Sequence, residues 1–251
     1  MTTTSAPSSA LPAELRASME PAWCEVPRLV WVAARAYAPA ALPGAVAVAA
    51  SVCAIVVWLP SLVSLRAARQ LVALDGHALV ALERADRRRG IAELWWPALV
   101  GLAAIALVVL AWGALATGCA VGALHLGLGA EASAAVAAAI MAIPTVIGAL
   151  VVAPVWSAGS ARRMRALTSW LGAEHPSTPV WKLGALAAWP QRSGHGTALL
   201  DQLLTRRGGV VGESFVVAWP RSTELRAWYR RRFGMREHAD GGLYLPPRGR
   251  V

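Results

Sequence analysis

Between Pro190 and Leu204 the residues QRSGHGTALLDQLL set two glycines, Gly194 and Gly196, at the mouth of a leucine-striped segment. A turn that enters a helix presents backbone N–H groups with no helical acceptor, and the helix dipole adds positive potential there, so the chemistry that suits it is phosphate binding. Glycine at both positions lets an anion's oxygens approach the amides of Gln191, Arg192, Ser193, Gly194, His195, Gly196 and Thr197, and Arg192 supplies charge at the rim. The pattern is not a dinucleotide fingerprint, because Leu199 stands where a third glycine or alanine belongs, and no Lys-Ser/Thr pair follows. Three cysteines, Cys24, Cys53 and Cys119, are too far apart for a metal box or a disulfide framework, so no metal cofactor is expected.

The elements that must position this turn are readable from periodicity. Val180–Trp189 and Val210–Trp219 are apolar runs of strand length. Between them Thr197–Arg207 carries Leu199, Leu200, Leu203 and Leu204 on one helical face and is stopped by Gly208-Gly209. Ser222 can cap a further helix with Leu225, Trp228, Tyr229 and Phe233 on one face and Gly234 at its end, and a short strand follows around Leu243–Leu245. Strand, helix, strand, helix, strand is an α/β unit with room for one ligand site.

Upstream the chain is apolar. Of 251 residues, 57% are hydrophobic, and no Asp, Glu, Lys or Arg occurs from Ala36 to Leu65, from Leu94 to Ala130 or from Ala132 to Ala161. Each gap exceeds the roughly 20 residues that cross a bilayer core. About three transmembrane helices are expected, near 42–63, 96–115 and 133–156, with part of LATGCAVGALHLGLG forming a turn at the far surface. Trp58, Trp95, Trp96 and Trp156 fall near the proposed ends, where indoles sit at headgroup level. Segment 66–93 is amphipathic, with Leu71, Leu74, Leu79 and Leu82 interrupted by Asp75 and Gly76, and reads as a helix on the membrane surface or projecting into the cytoplasm.

Its arginines, Arg66, Arg69, Arg84, Arg87, Arg88 and Arg89, contrast with the loop after the second span, which holds Glu131 and no cation. By that asymmetry the first loop is cytoplasmic. The expectation is an integral protein of the plasma membrane with its N-terminus outside and its C-terminal domain in the cytoplasm. The Ser/Thr/Pro/Ala-rich start makes residues 1–39 a disordered arm, 40–161 the membrane segment and 162–251 a separate domain. Residues 162–251 carry 15 Lys/Arg against 6 Asp/Glu, hence +9 of the chain's +10. That charge fits an anionic lipid surface or a polyphosphate ligand; with neither paired zinc ligands nor a helix-turn-helix, nucleic acid is not an expected partner. Small-residue faces such as Gly101–Ala104 and Ala134–Ala139 would let helices pack closely within one chain or between copies, so a homo-oligomer is open.

LGALAAWPQRSGHGTALLDQLL resembles the core motif of the GNAT superfamily of acetyltransferases, a strand leading into Arg/Gln-x-x-Gly-x-Gly/Ala and a helix, with the match at Gln191, Gly194 and Gly196. SFVVAWPRSTELRAWYRRRFGM is similar to that family's next strand and helix. The resemblance covers the C-terminal half of such a domain. It implies a membrane-anchored N-acetyltransferase that binds acetyl-CoA, or a related acyl-CoA, with the diphosphate on the amides of Gln191–Gly196 and the pantetheine arm along Leu186, Ala187 and Ala188. It also implies Tyr229 as proton donor to the departing thiolate, with an amine as acceptor. The membrane segment or a second chain would complete the acceptor pocket. A non-catalytic acyl-CoA-binding or degenerate domain is the alternative. The strand Val180–Trp189 holds no acid, which leaves Glu174, His175, Glu213, Glu224 or a water chain as general base.

Overall fold

The computed structural model describes residues 19–37, 44–85, 91–152, 158–205, 214–220 and 222–247. Among them are seven α-helices and one mixed six-stranded sheet. Glu213, Arg87–Arg89, Trp156 and the Gly208-Gly209 stop lie outside the described residues.

Two helices precede the sheet, α1 (Val26–Tyr37) and α2 (Gly44–Ala67). A hairpin follows, β1 (Leu71–Leu74) and β2 (Ala78–Arg84), paired antiparallel from Leu71↔Ala81 to Leu74↔Ala78. This corrects the helix expected over part of 66–93. Asp75 (φ 50°) and Gly76 (φ 63°) are both left-handed, which matches strand twist, and the His77 amide donates to the Leu74 carbonyl at 3.0 Å within the three-residue loop between the paired Leu74 and Ala78. Both faces of the hairpin are covered: Val72, Val80 and Leu82 bury on one side, Leu71 and Leu79 on the other. A doubly covered strand loses its polar alternation, so its leucines mimic a helical stripe. A Cβ at Gly76 would lie 2.9 Å from Arg28 Nε as well as at positive φ. Gly76→Ala is therefore expected to lower stability by about 1–2 kcal/mol, read as a reduced melting temperature of the detergent-solubilised chain.

Two long helices are inserted next, α3 (Ile91–His125) and α4 (Ala130–Val152), then α5 (Ala158–Glu174). The sheet resumes with β3 (Val180–Ala188), α6 (His195–Thr205), β4 (Phe215–Ala218), α7 (Thr223–Phe233), β5 (Arg236–Glu237) and β6 (Leu243–Leu245). Strand order is β1-β2-β3-β4-β6-β5, and β3–β4 is the one parallel pair among the described strands. α6 and α7 cover one face through Leu199, Leu200, Leu203 and Tyr229. α1 and α2 cover the β1–β3 part of the other face, and α5 covers β4 with Leu167 and Leu171.

The sheet thus begins at Leu71, not after residue 162, and α3 and α4 interrupt it. Residues 20–37 are likewise no disordered arm. Leu29, Val30 and Ala33 of α1 are buried with Trp58 and Leu62 of α2 and with Leu71 and Leu79 of the hairpin. Segments on both sides of α2 therefore share one core.

Ala50–Ala67 in α2 and Trp95–His125 in α3 are long and apolar enough to cross a membrane, and α4 holds a shorter apolar stretch, Ala130–Ala142. α3 stays helical through His125, so the expected turn is confined to the residues before Ala130, where Gly127 (φ 84°) donates to the Leu124 carbonyl at 3.0 Å.

Candidate functional site

The site grows from the end of β3. Parallel pairing with β4 runs from Val180↔Phe215 to Leu183↔Ala218 and stops, while β3 continues to Ala188 on its pairing with β2. The two parallel strands part there, leaving a notch beside Gly184–Ala188 at the carboxyl ends of the strands, where open α/β sheets bind ligands. The register with β2 slips between Leu79↔Ala187 and Ala81↔Gly184, so Ala185 and Leu186 face the single residue Val80, and Ala185 sits at φ 45°. This is a β-bulge, which re-aims backbone groups out of the ladder.

One of them is already in use. The Tyr37 hydroxyl, at the end of α1, donates to the Leu186 carbonyl at 2.9 Å, and its ring stacks on Trp58 of α2 at 4.8 Å. Tyr37 also stands close enough to Tyr229 to act on it. Burial of Tyr229, which is 4% exposed, and secondarily the neighbouring Tyr37 phenol push its hydroxyl well above the ordinary tyrosine range. The phenol is thus held protonated, and it makes no hydrogen bond among the described residues. α7 aims it there because Ser222 Oγ accepts from the Leu225 amide at 3.1 Å at one end and Gly234, at φ 68°, closes the other.

Beyond Ala188 the chain turns over the sheet edge. Trp189 donates its amide to the His77 carbonyl at 2.9 Å, and Gln191 Nε2 donates to the Ala36 carbonyl at 3.2 Å. Gln191, Arg192, Ser193 and Gly194 are exposed and His195, Gly196 and Thr197 half-buried. Ser193 is committed locally, its amide and hydroxyl donating to the Pro190 carbonyl at 3.4 and 2.7 Å. The amides of Gln191, Arg192, Gly194, His195, Gly196 and Thr197 have no acceptor among the described residues, as the first turn of α6 requires. The two glycines differ in purpose. Gly194 adopts φ 85°, whereas a Cβ on Gly196 would lie 3.3 Å from Ala188 Cβ, so the second glycine lets α6 start against the end of β3.

Several cations gather around this turn that sequence spacing did not bring together. Arg35 lies 4.4 Å above the Trp189 ring, and its buried Nη1 has no hydrogen-bond partner among the described residues. Arg28 Nη2 donates to His77 Nε2 at 2.8 Å, which leaves His77 Nδ1 to carry the proton toward the Trp189 carbonyl at 3.3 Å. The His77 ring stacks on His195 at 4.7 Å. With Arg192 at the rim, an anion on the free amides would meet a positive surround.

All the expected cofactor-binding residues, Leu186 to Ala188 and Gln191 to Thr197, thus follow one another along one edge, and Tyr229 is linked to it through its neighbour Tyr37, which bonds Leu186. The expected bases among the described residues, Glu174, His175 and Glu224, do not join them. His175 stacks on Phe215 at 4.8 Å, at the opposite end of β3, about 26 Å of strand away. Glu174 ends α5 at that same end, and Glu224 is exposed in the first turn of α7. Comparison with protein-family models, with curated proteins and with solved structures found no match.

Proposed function

We propose that the protein is a membrane-anchored acyltransferase of the GNAT type, moving an acetyl group from acetyl-CoA to an amine. The observation that carries this reading is the notch, in which parting parallel strands, a bulge, a glycine turn with free amides and a protonated phenol lie along one edge. The diphosphate of acetyl-CoA rests on the amides of Gln191–Thr197 and its pantetheine runs along Leu186–Ala188, pairing with strand groups that β4 leaves open. The amine nitrogen attacks the thioester carbonyl carbon and gives up its proton to water. The C–S bond breaks, Tyr229 protonates the departing thiolate, and water returns the proton to the phenolate.

The sequence reading supplied half a domain; in this proposal α1, α2 and the β1–β2 hairpin supply the acceptor half, so no second chain is needed to build it. The α3–α4 pair crosses the bilayer and returns, α2 enters the same bundle from the domain side, and the α/β body with both termini of α1 faces the cytoplasm, where acyl-CoA is found. An insertion that leaves and re-enters a sheet on one side keeps β2 and β3 paired, as they are from Ala78↔Ala188 to Arg84↔Trp181.

The test is titration of acetyl-CoA against the detergent-solubilised full chain. Gly194→Trp meets nothing within 4 Å of a Cβ but is strained at φ 85°, and is expected to weaken binding at least about tenfold with no more than a modest loss of melting temperature. Unchanged affinity would overturn the site. Binding with no transfer to a broad panel of amines would instead assign a non-catalytic acyl-CoA-binding module.

A further inference from the structure

An open groove of about 610 Å³ separates α2 from α3 where the two helices leave the domain. Leu65 on α2, Ala68 in the turn after it and Gly101, Leu102 and Ile105 on α3 line it, with Gln70 at one end. The helices are pinned together at one crossing, where Ser64 Oγ donates to the Pro97 carbonyl at 2.6 Å and a Cβ on Gly101 would come within 2.8 Å of that same Oγ. Alongside this contact the surfaces diverge.

Three features say what fills the space. Among the described residues nothing covers its outer lip: Leu102 is 65% exposed, and the surface continues into Leu99, Leu107 and Leu110 on a helix apolar enough to cross a bilayer. A face of that size outside a membrane would be a large exposed apolar patch. The groove's depth also fits. Trp95 and Trp96, 57% and 50% exposed, stand at its domain end as interfacial indoles, and Ile105 lies nine residues deeper, about 13 Å along the helix, close to the hydrocarbon half-thickness of one leaflet. At the same end Arg69 is exposed and unpaired among the described residues, and it sits between the groove residues Ala68 and Gln70.

We propose that this groove is a binding site for one anionic glycerophospholipid of the domain-side leaflet, with an acyl chain between α2 and α3 and the phosphate on Arg69. Gln70, 6% exposed, offers its amide at the level of the glycerol esters. A zwitterionic lipid places a choline cation beside the same arginine and binds less well. The site is separate from the acyl-transfer notch, because Trp58 and Leu62 bury on the sheet side of α2 and the groove opens on its α3 side.

Native mass spectrometry of the full chain, extracted in detergent and incubated with phosphatidylglycerol or phosphatidylcholine at equal concentration, tests the assignment. One retained phosphatidylglycerol is expected, at least about fivefold over phosphatidylcholine, a difference of about 1 kcal/mol. Ala98→Phe, at an exposed wall residue, blocks the groove and removes retention, while Arg69→Gln keeps the chain contact and removes the headgroup preference. Equal retention of the two lipids by the wild type, or wild-type retention by Ala98→Phe, overturns the site.

Discussion

Tyr229→Phe is expected to slow acyl transfer by about 100-fold or more while acetyl-CoA affinity stays unchanged. The ring packs against Trp228 at 5.0 Å and Phe233 at 6.1 Å within the α6–α7 core, and phenylalanine keeps those contacts. Only the hydroxyl is lost, so a rate defect without a binding defect isolates proton donation; equal rates in the two proteins would remove Tyr229 from the chemistry. A second measurement tests the local environment independently of any substrate. Burial, assisted by Tyr37, raises the folded pKa above the unfolded value of about 10. The neutral phenol then contributes stability that is whole below about pH 10 and is lost as pH rises through the unfolded value toward the folded one. Wild type should lose stability between pH 9 and 11 by a margin that Tyr229→Phe does not show, measured as melting temperature against pH.

Locally determined features were legible in the chain. The Ser222 cap, the Gly234 stop and the strand Leu243–Leu245 stand where their residues place them, because caps and turn glycines act within four residues. The glycine turn was legible for the same reason. What surrounds it was not: Tyr37 reaches Leu186 across 149 residues, Arg28 reaches His77 across 49, and Gln191 reaches Ala36 across 155. Periodicity carries no information at those separations. The hairpin was lost to a different cause. Leu71, Val72, Leu79 and Val80 are buried alike, so the strand period of two disappears, and Asp75-Gly76 looks like a break in a helix although it is a turn between strands. α1 was hidden by its neighbours, since VPRLVWVAARAY follows a Ser/Pro-rich stretch and borrows its look of disorder, although Leu29, Ala33 and Ala34 are fully enclosed.

The largest structural consequence concerns where the folding unit begins. Residues 162–251 expressed alone are expected not to fold, giving an aggregated or unfolded product with no cooperative melt. In that fragment β3 loses its pairing with β2, and Trp181 and Leu183 lose Val72, Val80 and Leu82 from their shared core. Trp181 and Leu183, at most 6% exposed in the whole chain, are uncovered in the fragment, and burying a large apolar side chain contributes about 1.5–3 kcal/mol, so the two losses, about 3–6 kcal/mol, reach the lower end of an ordinary domain's whole stability. Ala187 would also lie bare, since its cover comes from α1, Trp58 and Leu79. Adding residues 19–85 as a separate chain should restore soluble, folded protein if the sheet is one unit interrupted by the α3–α4 helices. Circular dichroism and a thermal melt of the two fragments, apart and mixed, decide it: a cooperative melt of 162–251 alone would show that the C-terminal strands form an independent domain. Because the notch lies on β3 and is backed by Tyr37, Arg35 and His77 from the first fragment, recovery of acetyl-CoA binding on mixing, and not before, is the expected functional counterpart.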